Sequence, residues 1–295
     1  EAEPAADDAE GQAIAAKLRG RRLPLLDRVT YPVATNPGEG LERVARARGL
    51  PVAQVETLVQ QHTDTPWLGL LGEDDRRATA AALEVGEAEP GDRVCRHGAP
   101  STYWFGVVDG LLKISGENAD GQTMTFAGLP PGGWFGEGTA LKREIYRYNV
   151  QTLRKSMVAG LPVQTFHRLL DHSIGFNRFV MNQLNERLGQ FIAAREIDRM
   201  NNPDIRVARN LAALFNPVLY PGVGEVLRIT QQELAYLIGL SRQRVNEALT
   251  TLEAQGLIRV EYGGLRVLDL PALRTLGPSA APFTKAPTNA PPRSS

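Results

Sequence analysis

Cysteine is almost missing from this chain: Cys95 stands alone in 295 residues. One thiol cannot close an internal disulfide or supply the thiolates of an iron–sulfur cluster, so that kind of oxygen sensing is excluded. The four histidines, His62, His97, His167 and His172, show no ligand spacing, and no metal is expected. Cys95-Arg96-His97 reads instead as a buried thiol beside a surface imidazole. No apolar run approaches the roughly 20 residues that span a bilayer, and there is no signal-peptide hydrophobic core. A cytoplasmic protein without a membrane partner is the expectation. Net charge is lacking too, at zero overall. No nucleophile, base and orienting group are recognisably arranged, so an enzyme is not expected.

What is present gathers around Ile229 to Leu257, ITQQELAYLIGLSRQRVNEALTTLEAQGL. Thr230 followed three residues later by Glu233 is a capping box and starts a helix. Leu234, Leu237 and Ile238 give that helix an apolar face, and Gly239 ends it. Ser241 caps a second helix, in which Val245, Ala248, Leu249 and Leu252 share one side while Arg242, Gln243, Asn246 and Glu247 lie elsewhere on the first two turns. Arginine can pair with guanine, Gln or Asn with adenine, and Glu can accept from cytosine in the major groove. A helical hairpin with merely solvated polar turns would show the same spacing. Against it, Leu257 to Leu268 alternates apolar and polar residues around Gly263-Gly264, a hairpin signal that makes a winged helix-turn-helix.

Ile229 through Ile258 resembles, without a gap, the winged helix-turn-helix of the Crp/Fnr transcription regulators. The resemblance extends over about residues 66 to 270 and implies an α+β chain of five parts. These are an N-terminal extension (1–65) with a helical pair, an antiparallel β-roll or jelly-roll sensor (66–172), a long dimerisation helix (173–201), the winged reader (202–270) and a disordered tail (271–295) rich in Pro, Ala, Thr and Ser. Within the extension, LERVARARGLPVAQVETLVQQHT, continuing through Leu68-Gly69 and Leu71-Gly72-Glu73, is similar to the C-terminal part of the C subunit of Kdp potassium-transporting ATPases. That subunit's membrane-spanning helix is absent, so no transport role carries over.

Short alternating strands are expected at Leu83-Glu84-Val85, Arg93–Cys95, Tyr103–Val108, Leu111–Ser115, Thr123–Ala127 and Gln151–Gly160, with turns at Pro90-Gly91-Asp92, Asp109-Gly110 and Asp120-Gly121. Among them GGWFGEGTALKREIYRYNV resembles the phosphate-binding cassette of cyclic-nucleotide domains. Backbone N–H groups around Gly136 and Gly138 could cradle a phosphate, with Glu137 accepting from a ribose hydroxyl and Arg147 holding the phosphate charge. The alternative is a structural Glu137–Arg147 ion pair in an empty pocket. In the cyclic-AMP-responsive members a serine follows this arginine, and here it is Tyr148. The two adjacent hydroxyl residues that meet adenine correspond to Phe191 and Ile192. A cyclic nucleotide stays a candidate ligand, but an ordinary cyclic AMP response is not expected.

Ile174 to Met200 reads as one helix whose Phe176, Val180, Leu184, Leu188, Phe191 and Arg195 recur at steps of three and four, the pattern of a coiled-coil seam or of a face packed on its own roll; at roughly 40 Å the helix outruns one roll, which favours a parallel dimer. Asn202 then caps a further helix with Pro203 at its first position, and Asn201-Asn202 is the expected hinge. The function implied is a homodimeric regulator reading a palindrome in double-stranded DNA, with RNA polymerase a candidate partner. Arg242, Gln243, Asn246 and Glu247 are expected at base edges, and Thr230, Gln231, Gln232, Ser241 and Arg244 at phosphates. The cyclic-AMP-responsive members carry Arg, Glu and Arg at the positions of Arg242, Gln243 and Glu247, so a different operator is expected. From Pro203 to Leu270 seven arginines and no lysine face seven acidic residues. Basic character must therefore come from placement, with Arg242, Arg244, Arg259 and Arg266 the candidates for the groove-facing edge. The same neutrality keeps a rival open, a cyclic-nucleotide-binding module that regulates a partner protein.

Overall fold

The computed structural model describes residues 67–117 and 123–277. The helical pair expected within 41–63 lies outside them. Chain order begins with a 3-10 turn at Leu68–Leu70 and α1 (Glu73–Ala82), whose first turn carries Glu73, Asp74 and Asp75, favourable at a helix N-terminus. Eight strands follow: β1 (Glu84–Ala88), β2 (Arg93–Cys95), β3 (Tyr103–Asp109), β4 (Leu112–Glu117), β5 (Thr123–Leu129), β6 (Trp134–Phe135), β7 (Asn149–Thr152) and β8 (Ser156–Pro162). They form two antiparallel sheets, β1-β8-β3-β6 and β2-β7-β4-β5. This is the expected jelly roll, with two departures. The segment expected as one strand from Gln151 to Gly160 breaks at Leu153-Arg154-Lys155, where the chain crosses from one sheet to the other. Ser156 holds that corner, its Oγ donating to the Arg154 carbonyl and accepting from Leu111 N–H. Gly110, at φ 113°, is required beside it, because a Cβ there would strike Ser156. Strand β6 went unexpected, since two residues are too few for an alternation to register.

All three tryptophans meet inside the roll. Trp67 lies 5.3 Å from Trp104 and 5.2 Å from Trp134, centroid to centroid, and Phe176 closes the cluster. Trp67 is fully buried and Leu68 and Leu71 nearly so, which makes this turn part of the sensor core.

The helices are α2 (Glu137–Lys142), α3 (Val163–His172), α4 (Ile174–Asp198), α5 (Pro203–Ala213), α6 (Gln231–Ile238), α7 (Arg242–Ala254) and α8 (Leu270–Thr275). Ser173 caps α4 through Phe176 N–H, and Asn202 caps α5 through Asp204 and Ile205 N–H groups. Strands β9 (Val226–Leu227), β10 (Ile258–Glu261) and β11 (Gly264–Val267) make a three-stranded wing in the order β10-β11-β9. Contrary to the disordered tail expected from Pro271, Asp269 caps α8, which buries Leu273 in the reader core; the remainder of that tail, from residue 278, lies outside the described residues. Arg274 also donates to the Phe215 carbonyl. One proline at the second position of a short helix is compatible with α8, because the N–H it lacks has no partner there.

The reader sits against the roll. Leu111 joins its core, Thr125 Oγ1 donates to the Tyr236 carbonyl at 3.2 Å, and Gly128 lies so close beneath Leu214 and Leu237 that a Cβ would meet both. Arg154, from the sheet-crossing corner, donates to the Arg228 carbonyl and stands 3.5 Å from Glu233.

Candidate nucleic-acid interface and sensor pocket

Two short helices can present a fixed surface only if their starts and inner faces are tied down. In α6 the Thr230 hydroxyl accepts from Glu233 N–H while the Glu233 carboxylate accepts from Thr230 N–H at 2.7 Å, so the expected capping box is complete. Gly239 ends the helix at φ 71°, and Ser241 caps α7 through Arg244 N–H. Val245, Ala248, Leu249 and Leu252 are all buried. Arg242, Gln243, Arg244, Asn246 and Glu247 are exposed at the start of α7, with Ser241. Thr230 and Gln232 are exposed at the start of α6, where Gln231 is half-buried. Gln231 Nε2 donates to Asn246 Oδ1 at 2.7 Å, so this residue meets a neighbour on the recognition helix. Among the described residues Arg242 and Arg259 carry no ion pair. Arg266 does: it holds Glu261 at 2.6 Å and Glu225 at 2.7 Å. The wing therefore spends one of the expected cations on its own folding. At the wing tip Tyr262 stands fully exposed next to Gly263 at φ 76°.

The sensor cassette is arranged differently from expectation. Gly136 takes φ 87° at the start of α2, as a cradle requires. Glu137, 4% exposed, does not meet Arg147; it meets Arg187 of α4, Oε1 to Nε 3.4 Å. Arg147 points outward, largely exposed, and pairs with Glu144 at 3.3 Å. Arg187 also donates to the Trp134 carbonyl at 2.7 Å, the Tyr220 hydroxyl at 3.2 Å and Gln190 at 3.4 Å. Burial by itself would lower the guanidinium pKa, but the Glu137 carboxylate and Tyr220 outweigh it and the net direction is upward. Tyr148 packs edge-on against Tyr146, and burial raises its phenol pKa despite a bond to Thr139. Gly138 is half-buried, its Cα side 3.7 Å from Leu184 for a would-be Cβ. Phe191 is half-buried and Ile192 is 54% exposed.

A cyclic nucleotide needs a phosphate-facing cation, a free carboxylate and room for a base. Here Arg147, the cation expected for that role, faces solvent and pairs with Glu144, while the Glu137 carboxylate is engaged by Arg187. As arranged, Arg147 and a free Glu137 are not presented together to a phosphate and a ribose. A cavity of about 400 Å³ is present elsewhere, lined by Arg143 and α3 residues including His167 and Arg168, and shares no residue with the Glu137–Arg187 pair.

Sequence reasoning missed Arg187 and Tyr220. A signal for the first existed: Phe176, Val180, Gln183 and Arg187 fall at steps of four, three and four, so a charge on that face had to find a buried partner. The same burial corrects the expected seam on α4, because Phe176 and Val180 belong to the core of their own roll. The outward apolar stripe is instead Ile174, Met181, Leu188 and Ile192, each more than half exposed. Cys95 is buried and His97 exposed, as read from the sequence.

Comparison with known proteins follows this division. The family model for the cyclic nucleotide-binding domain matches residues 85–173 and that for the Crp-like helix-turn-helix domain matches 205–276, together more than half of the chain. A third, for the C chain of the K+-transporting ATPase, matches 40–78. The transcriptional regulator SdrP of Thermus thermophilus is 28% identical over 185 residues, 61% of this chain and 86% of that protein. The KdpC subunit of the potassium-transporting ATPase of Polaromonas naphthalenivorans is 71% identical over 31 residues, only 16% of its length and 10% of this chain. Among solved structures, FixK2 of Bradyrhizobium japonicum shares the fold at TM-score 0.56 and 16% identity, covering 68% of this chain and 99% of that one. Among the described residues no helix is long and apolar enough to cross a membrane. A cyclic nucleotide-binding roll followed by a Crp-like helix-turn-helix, in a chain whose relatives regulate transcription, places the protein in the Crp/Fnr family of DNA-binding transcription regulators, which are not enzymes.

Proposed function

We propose that two copies pair along α4 and set two α7 helices into successive major grooves of a palindromic operator, under a signal other than cyclic AMP. The start of α7 carries this reading: a capped helix fixed by a buried inner face offers Arg242, Gln243, Asn246 and Glu247 outward. Thr230, Gln232 and Ser241 stand where phosphates pass, with Gln231 and Arg244 beside them. The exposed stripe Ile174, Met181, Leu188 and Ile192 supports pairing. A helix of 25 residues runs about 37 Å, longer than one roll needs to cover, and two-fold pairing gives the two-fold spacing that half-sites require. RNA polymerase is the partner such a regulator would engage at a promoter. The Glu137–Arg187 pair and Tyr148 support a roll that does not take cyclic AMP.

The rival reading, a module acting on a partner protein, draws on the balance of seven arginines against seven acidic residues in the reader. Selection from a random duplex pool, with and without cyclic AMP, separates them. One palindrome enriched equally in both arms is the expected result. Enrichment only with the nucleotide overturns the reading of the pocket, and no enriched sequence in either arm favours the rival.

A further inference from the structure

Helix α6, on which the recognition helix is carried, is gripped by the roll at both ends. At its start Arg154, from the corner between β7 and β8, donates to the Arg228 carbonyl, two residues before the Thr230 cap. Arg154 Nε is buried, has no hydrogen-bond partner among the described residues and faces Glu233 Oε1 at 3.5 Å. Glu233 Oε2 accepts from Thr230 N–H, so one buried carboxylate serves both the helix start and the roll. At the far end Thr125 of β5 donates to the Tyr236 carbonyl at 3.2 Å, and Leu237 packs over Gly128 of the same strand. Leu153 of the corner and Leu111, whose carbonyl it meets through its N–H at 2.8 Å, pack with the reader core. Of these holds only that of Arg154 joins opposite charges.

A rod held at one end can pivot, but one held at both ends keeps its direction. Helix α7 follows α6, because Leu234, Ala235 and Ile238 share a buried core with Val245, Ala248 and Leu249. None of the holds covers the head of α7, where Arg242, Gln243, Asn246 and Glu247 stay exposed. Docking on the roll thus leaves the reading face free, and what it supplies is an angle. Asn201 and Asn202, exposed between α4 and α5, are where an unheld reader would swing.

We infer that Arg154 is a positioning residue for DNA recognition: from the sensor roll it fixes the angle of α6, and with it the separation of the two α7 helices in a dimer. Two half-sites must lie a set distance apart for both helices to enter the groove, so a fixed angle makes the chain selective for one spacing. This rests on the homodimeric DNA reading proposed above.

The test measures binding of the full chain to three duplexes: the selected palindrome, the same palindrome with one base pair inserted between its half-sites, and a duplex keeping a single half-site. Arg154→Gln should cut the preference for the palindrome over the respaced duplex by about tenfold, the scale of a lost hydrogen bond to a charged group. Affinity for the single half-site should stay as in wild type, because one reader has no partner to align with. Glu233→Gln keeps the capping box, which accepts Gln at this position, and loses only the charge opposite Arg154. It should lower the same preference by less, and add nothing to Arg154→Gln. An unchanged preference in Arg154→Gln overturns the inference, and so does an equal loss on the half-site, which would make Arg154 a phosphate contact. Should Arg154→Gln not fold, an unchanged preference in Glu233→Gln overturns it instead. A wild-type chain that enriches no palindrome fails earlier, at the DNA reading itself.

Discussion

The Arg187 guanidinium offers the sharpest measure of how the sensor is held together. It is 7% exposed and satisfies Glu137, the Trp134 carbonyl and the Tyr220 hydroxyl at once. Arg187→Ala strands a carboxylate in the interior and takes one donor from the Trp134 carbonyl and one from the Tyr220 hydroxyl, which keeps Gln190. Removing one partner of a buried pair costs about 3–5 kcal/mol, a large share of the roughly 5–15 kcal/mol that holds a domain together. Glu137→Ala strands the guanidinium instead, but Trp134 and Tyr220 still receive it, so its cost should be the smaller. In the double variant nothing charged is stranded, and the combined loss should fall short of the sum by about 2 kcal/mol. Urea denaturation read by tryptophan emission is the assay, because all three tryptophans share one cluster in the roll. At a slope of about 2 kcal/mol/M, Arg187→Ala should lower the midpoint by about 2 M. A shift below about 0.5 M, or strict additivity, would refute the claim that this pair is a buried structural bond.

Other consequences are simpler to check. Trp67→Ala should cost about 3–5 kcal/mol by the same denaturation assay, because the ring is fully buried against Trp104, Trp134 and Phe176; a cost below about 1 kcal/mol would detach this turn from the sensor core. Burial raises the Cys95 thiol from 9.0 to about 12, which leaves about a thousandfold less thiolate near pH 8. Alkylation in native buffer should accordingly be at least that much slower than in urea, and comparable rates would contradict the burial. Leu188→Glu places a charge in the outward stripe of α4 and should shift sedimentation from dimer to monomer at micromolar concentration; an unchanged dimer would move the pairing face elsewhere. Arg242→Ala should cost about 1–3 kcal/mol on the selected operator and relax one base preference. An equal loss on every duplex would assign Arg242 to phosphate contact.

Local chemistry explains what the sequence made legible. The capping box of Thr230 and Glu233, the glycine stop at 239, the Ser241 cap and the Asn202-Pro203 start are signals spanning four residues or fewer, and all four recur in the structure. Five strands with alternating residues were visible for the same reason, and the sixth expected strand, Gln151–Gly160, proved to be parts of two. Elements missed or misjudged have a different character. The corner at Leu153-Arg154-Lys155 exists because Ser156 finds Leu111, 45 residues away. Helix α8 has too few residues for a period, and is held by Leu273 in a core built from α5 and α7.

The pocket was hardest to read because its partners come from three separate segments. Glu137 and Arg147 lie ten residues apart at a spacing that a phosphate site would use, and spacing alone cannot say which arginine turns inward. Competition decides it. Arg187 arrives on a helix whose neighbouring turns, Phe176, Val180 and Gln183, are already buried, so its head group is carried inside whatever the cassette contains. Once there, it must find an anion, and Glu137 is the carboxylate within reach. Arg147, on an exposed loop with Glu144 three residues before it, has no comparable constraint and stays in solvent. Tyr220 completes the arrangement from the segment between α5 and β9, where Gln190 and Arg187 both hold its hydroxyl. One guanidinium thus touches the cassette, the long helix and the α5–β9 segment of the DNA-binding domain. Any ligand that claimed Glu137 would have to displace Arg187, and with it one hold on the segment that positions the recognition helix.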